Sequence, residues 1–138
     1  MRRKTRRRRG FTLIEVLLVL MILVILGSFA TMYILGAQKK ALRRAAQVQV
    51  LAFKECIESY QVDFTRPPSS LQSLIERPSD LPNPEKWQSR YLDATRIPLD
   101  PWDQEYQYEV LDEETFRVWS VGPDGVDNTE DDISSDMF

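Results

Sequence analysis

The sequence predicts an α+β fold: one long N-terminal helix packed on a small antiparallel β-sheet, with a long ordered loop joining them. Three observations predict it. Residues 11–37 form an apolar run of 27 with one charge, Glu15. An amphipathic pattern then continues to about residue 63, and no Pro precedes Pro67 to interrupt a helix. Two short runs, 106–110 and 115–121, alternate or concentrate apolar residues around Asp112-Glu113-Glu114, the signature of a β-hairpin.

The organisation follows in chain order. Residues 1–10 are a basic leader with seven Lys or Arg and no acid. Residues 11–37 exceed the roughly 20 apolar residues that span a bilayer. The leader outweighs Lys39, Lys40, Arg43 and Arg44, which follow the run, so the amino end is expected in the cytoplasm. In a bacterial cell this gives a single-pass inner-membrane protein whose carboxy-terminal domain is periplasmic. A cleaved secretory signal ending at Ser28-Phe29-Ala30 is the competing reading. Against it, the apolar segment outruns the usual h-region of about 7–15 residues and continues through Met32, Tyr33, Ile34 and Leu35.

Glu15 is the one feature that a plain anchor leaves unexplained. A carboxylate at the centre of a membrane helix costs roughly 2.5–3.5 kcal/mol, and less near its end. The helix amino terminus itself favours negative charge. A cationic partner is the alternative. Cleavage after Gly10 would free an amine on Phe11, four residues or about 6 Å away along the helix. That amine, or the one on a staggered neighbouring subunit, would neutralise Glu15.

Residues 38–138 form the second part: an amphipathic helix to about 63, a loop region 64–104, and a hairpin with an acidic loop over 105–138. In the helix, Leu42, Ala45, Ala46, Val50, Phe53, Cys56, Ile57 and Tyr60 recur at three- and four-residue spacing. One continuous helix from Phe11 to about Asp63 would be about 80 Å long. The basic residues at 39–44 are a solvated face, a contact for lipid headgroups, or partners for acids of neighbouring subunits. Arg66-Pro67-Pro68 ends the helix, and a short capped helix is expected from Ser69-Ser70 through Glu76. Beyond it, Trp87, Tyr91, Leu92, Ile97 and Trp102 are anchors in a Pro- and Asp-rich loop that must therefore be ordered.

Composition removes many chemistries. The chain has 138 residues, no His and one Cys, Cys56, so His-based triads, His-bound zinc and an internal disulfide are excluded. No G-x-x-x-x-G-K phosphate loop occurs. The net charge of −3 hides an asymmetry: seven of 18 basic residues lie in 1–10, leaving 11 against 21 acids. Such a chain is no nucleic-acid binder and no enzyme of a common type. Asp124, Asp127, Glu130, Asp131, Asp132 and Asp136 crowd the carboxy-terminal loop with no base near them in sequence. By composition this is either a floppy, self-repelling segment or an oxygen-rich site for calcium, without EF-hand spacing.

The leader "RRRRG FTLIEVLLVLMILVILG" resembles that of type IV prepilins. "IPLDPWDQEYQYEV" (97–110) and "SVGPDGVDNTEDDI" (120–133) resemble stretches of the major pseudopilins of type II secretion systems. Two differences stand out: Asp103 replaces a common glycine, and Arg66-Pro67-Pro68 replaces a Gly-x-Tyr-Pro type of turn. The mid-helix proline of many relatives is also missing, leaving Gly27 and Gly36 as weak points. The resemblance implies a structural filament subunit, not an enzyme. It implies cleavage by a prepilin peptidase between Gly10 and Phe11, methylation of the Phe11 amine, and a role for Glu15 in assembly. It also implies calcium held by the side chains of Asp124, Asp131 and Asp132 and the carbonyl of Val121, with Asp127 and Glu130 facing solvent. The implied partners are copies of the chain in a homopolymeric filament, minor pseudopilins, the inner-membrane assembly platform, and membrane lipid before assembly. A type IV pilin, a minor pseudopilin and a Sec-exported soluble calcium-binding module are the alternatives.

Overall fold

The computed structural model describes residues 11–138. The basic leader and Gly10 lie outside the described residues. The chain divides into two units at Lys39/Lys40. One helix, α1 (Leu13–Phe64), runs through the division.

In the first unit, α1 begins two residues later than the pattern predicts. The Thr12 carbonyl accepts from Glu15 N (3.1 Å) and Val16 N (3.3 Å), which makes Thr12 the helix cap. A β-branched hydroxyl residue in that position suits a cap better than a helix interior. Side chains from Leu13 to Leu26 are exposed all round, with Leu13 at 79%. The helix passes Gly27 and Gly36 without interruption, and the space beside each is open. The Ser28 hydroxyl is satisfied by the Val24 carbonyl one turn back, at 2.9 Å.

In the second unit, α1 buries Ala46, Val50, Phe53, Ile57, Tyr60 and Phe64. These recur at alternating spacings of four and three and cover an arc of about 80° of the helix. The predicted stripe was wider. Leu42 and Ala45 are exposed, and Cys56 sits half-buried at the stripe's edge. The covering sheet and loop reach only from Ala46 onward, and Phe64 extends the stripe at its other end. The Cys56 thiol donates to the Tyr91 carbonyl at 3.0 Å. Burial pushes its pKa up, and the charge of Glu55 adds to the effect. Cys56 is thus a small packing residue.

The helix stops where Thr65 turns left-handed (φ 58°), donating its N–H to the Gln61 carbonyl at 2.7 Å. Glycine suits that conformation best, because a side chain there crowds the backbone. The predicted helix 71–76 is a 3-10 turn over Leu71–Leu74. Ser70 does not cap it; its hydroxyl meets that of Ser73 instead. The ordered loop is confirmed: Trp87, Tyr91, Leu92, Ile97 and Trp102 all pack against the core. Leu74 O accepts from both Tyr91 N and Leu92 N, and the Tyr91 hydroxyl donates to Asp63 at 2.5 Å.

The hairpin forms from β1 (Gln107–Val110) and β2 (Phe116–Ser120), antiparallel with Tyr108 opposite Val118. Asp112 builds its turn, accepting from Glu114 N and Thr115 N; the Thr115 side chain first, and then these two backbone bonds, lower its carboxyl pKa. A third strand, β3 (Ile133–Ser134), pairs with the other edge of β2, giving the order β1-β2-β3. Tyr106, just before β1, meets Phe53 of α1 edge-on at 5.0 Å.

Two predictions follow from these contacts. Thr65→Gly should raise unfolding free energy by roughly 1 kcal/mol, the steric penalty of a left-handed residue; an unchanged urea midpoint would contradict it. Desolvation raises the hydroxyl pKa values of Tyr91, Tyr106 and Tyr108 above 10.0, and the bond to Asp63 adds to the effect at Tyr91. The folded values exceed the unfolded ones, so this stability is complete below pH 10 and lost as pH climbs above it. Denaturant titrations across pH should show that decline, and Tyr106→Phe should make it shallower.

Candidate functional sites

The acidic loop leaves β2 at Val121 and returns to β3 at Ile133. Its two ends pass in contact at Gly122. With φ at 75°, a Cβ placed there would lie 2.5 Å from the Asp131 carbonyl oxygen, so only glycine fits.

A polar node under the loop fixes its starting point. Asp100 is buried, and its Oδ1 accepts from Trp102 N (2.9 Å) and Gln104 N (2.8 Å). Its Oδ2 accepts the Ser120 hydroxyl at 2.6 Å. Ser120 Oγ in turn accepts from Gly122 N (3.1 Å), and the Gln104 side chain donates to Gly122 O (3.3 Å). The turn 100–104 therefore clamps β2 and the loop together through one buried carboxylate whose oxygens are both used. Asp103 adopts φ 64° within this turn, a conformation that glycine takes at no steric cost. Sequence reasoning quoted the Asp-Pro-Trp stretch but assigned no role to Asp100, Gln104 or Ser120. The available signal was a Ser ending an apolar strand directly before a Gly-Pro turn.

The four residues expected to hold calcium are distributed around this closure. Val121 is buried beside Gly122, and Asp131 approaches Gly122 from the returning arm of the loop. Asp132 is 3% exposed; its Oδ2 accepts from Asn128 N (3.0 Å) and its Oδ1 from the Thr129 hydroxyl (3.5 Å). Asp124 is exposed and accepts from Val126 N at 3.1 Å. Arg43 of α1 reaches the loop, donating to Glu130 O (3.1 Å) and standing 3.9 Å from Asp131. Asp127 is exposed, as expected, but is not idle: it accepts the Trp119 indole N–H at 2.8 Å. Among the described residues, no three Asp, Glu or Cys side chains converge closely enough to enclose a metal by themselves. The donors are nonetheless all carboxylate and carbonyl oxygens, the set a hard cation takes. Asp132 is also a buried carboxylate with no cationic partner among the described residues, where added positive charge is favourable.

The second candidate site is the start of α1. Phe11 is exposed and Glu15 occupies the first turn, also exposed and without an ion pair among the described residues. A groove of about 350 Å³ between residues 69–72 and 97–99 carries a single carboxylate, Glu105, and so holds no pair of carboxylates.

Gly122→Ala should cost roughly 1–3 kcal/mol of stability through backbone strain. Ser120→Ala should cost a similar amount by leaving a buried carboxylate oxygen unpartnered, roughly 1–3 kcal/mol. Urea denaturation checks both, and a Gly122→Ala chain as stable as the parent would contradict the loop closure.

Comparison with known proteins covers both stretches of the chain. The protein-family model for the type II secretion system (T2SS), protein G, matches residues 33–136. That for the prokaryotic N-terminal methylation motif matches residues 5–31. The chain is 35% identical to the type II secretion system core protein G of Dickeya chrysanthemi, covering 94% of this chain and 87% of that one. It is 34% identical to its namesake from Pectobacterium carotovorum, covering 94% and 85%. Among solved structures, the major pseudopilin from the type 2 secretion system of enterohaemorrhagic Escherichia coli matches with a TM-score of 0.61 and 31% identity, covering 75% of this chain and 94% of that one.

Proposed function

The chain belongs to the type II secretion system protein G family, and from that premise we propose how its residues make it a subunit of the pseudopilus. The role is structural: a membrane-anchored pseudopilin. A prepilin peptidase cuts between Gly10 and Phe11, and the new Phe11 amine is methylated. The subunit waits in the inner membrane with its amino end cytoplasmic and its carboxy-terminal domain periplasmic. It is then drawn into a periplasmic filament with its own copies, through the inner-membrane assembly platform and with minor pseudopilins. That filament drives protein export across the outer membrane.

The observation that carries this reading is the first half of α1. Its apolar side chains are exposed among the described residues, and its one charge is Glu15 in the first turn. A lone anchor gains from that carboxylate only its interaction with the helix amino terminus. In a stack of helices, it neutralises the Phe11 amine of the next subunit, and in an apolar surrounding the pair is specific in register. Exposed apolar faces then pack on one another in place of lipid.

We further propose that calcium binds the acidic loop through Asp124, Asp131, Asp132 and the Val121 carbonyl. Calcium supplies positive charge to a segment whose acids otherwise repel. The chain's own contribution is closure: Gly122 lets the two loop ends meet, and the Asp100–Ser120 node fixes where the loop starts.

Two experiments test these readings. In cells that assemble the filament, Glu15→Ala should leave the leader cleaved but abolish intersubunit crosslinks; crosslinking at the parental level would overturn the pairing. For calcium, the melting temperature of the parent chain should rise on calcium addition and fall with chelator. Asp124→Ala should remove that response, since Asp124 is exposed and its loss leaves the apo fold intact. A parent chain indifferent to calcium and chelator would overturn the site.

A further inference from the structure

Lys39, Lys40, Arg43 and Arg44 are four of the 11 basic residues beyond the leader, gathered into six positions. All four are exposed. Arg43 is committed to the acidic loop through Glu130 O and Asp131. Lys39, Lys40 and Arg44 make no hydrogen bond or ion pair among the described residues. Three unpaired cations on a chain that is otherwise strongly acidic are a strong local feature without a use so far.

We propose that Lys39, Lys40 and Arg44 form a cationic collar that binds the phosphate groups of anionic lipids in the leaflet where the apolar segment ends. Two observations favour lipid. Lys39 and Lys40 follow the last apolar positions by only two and three residues, so chain connectivity keeps them at the end of the membrane segment. Their long stems return charge to the headgroup level. No acid lies between Glu15 and Glu55, so no neighbour in sequence neutralises these charges and anionic headgroups are the complement at hand. Anionic headgroups attract such juxtamembrane clusters over roughly a Debye length, about 8 Å. Arg43 is excluded from the collar by its contacts with the loop. The collar thus adds a lipid preference to the waiting subunit, and this inference rests on the membrane-anchored reading above.

The test uses the full chain reconstituted in phosphatidylcholine vesicles with spin-labelled phosphatidylglycerol or spin-labelled phosphatidylcholine as probe. The parent should prefer phosphatidylglycerol. In K39Q/K40Q/R44Q that preference should drop roughly 2- to 5-fold, and 1 M salt should erase the difference between the two chains. Residual preference in the variant belongs to the basic leader, which both chains share. R43Q should behave as the parent. Equal preference in parent and triple variant overturns the collar. Unchanged preference with lost intersubunit crosslinks in the triple variant also overturns it, and assigns these cations to acids of neighbouring subunits. Extraction of the parent from vesicles by alkaline carbonate would instead overturn the anchored reading, so the two failures are distinguishable.

Discussion

The first half of α1 is bare of cover among the described residues. From Leu13 to Leu26 every large apolar side chain is exposed. Full burial of one such residue is worth about 1.5–3 kcal/mol. Among the described residues nothing covers these side chains, so that energy is not recovered within them. Lipid recovers it first, and other helices of the same kind recover it later. The exchange between the two is nearly neutral in hydrophobic terms, since lipid tails are as apolar as leucine. Direction must come from something else, and under the proposed pairing Glu15, the acid in the first turn of α1, would supply it.

The second half of α1 obeys the opposite rule. Its narrow stripe from Ala46 to Phe64 is fully covered by the sheet and the ordered loop. The covering layer has only three short strands, so it depends on polar links to hold shape. Asp100, Ser120, Gly122 and Gln104 supply one such link beneath the acidic loop. Tyr91 with Asp63, and Tyr108 with the Pro68 carbonyl at 2.7 Å, supply others that tie the loop region to α1 and to the helix end. Arg43 connects α1 to the far side of the acidic loop. The same helix therefore carries a surface for assembly and the backbone of a compact domain.

Much of this was legible because periodicity reports burial directly. The long helix, the hairpin, the aromatic anchors of the ordered loop and the acidic loop's place all follow from spacing and composition. What escaped was set by tertiary contact. β3 is two residues long and shows no alternation of its own, so only its pairing with β2 defines it. The stripe's true limits depend on how far the sheet reaches, which is why Leu42 and Ala45 looked like core and Phe64 did not. Ser70 looked like a helix cap, yet its hydroxyl found Ser73 closer to hand. Asp100 and Ser120 lie 20 positions apart, and nothing local marks them as a pair. At the candidate sites, Glu15 and the acidic loop stood out as charges in unlikely company, while the node that shapes the loop did not.

The central claim is that the processed chain begins at Phe11, with Glu15 four residues inside it. Intact mass spectrometry of the chain coexpressed with a prepilin peptidase tests that claim most directly. The account predicts loss of residues 1–10 and gain of one methyl group on the new terminus. A mass that retains Met1, or one that places the terminus after Ala30, would contradict it.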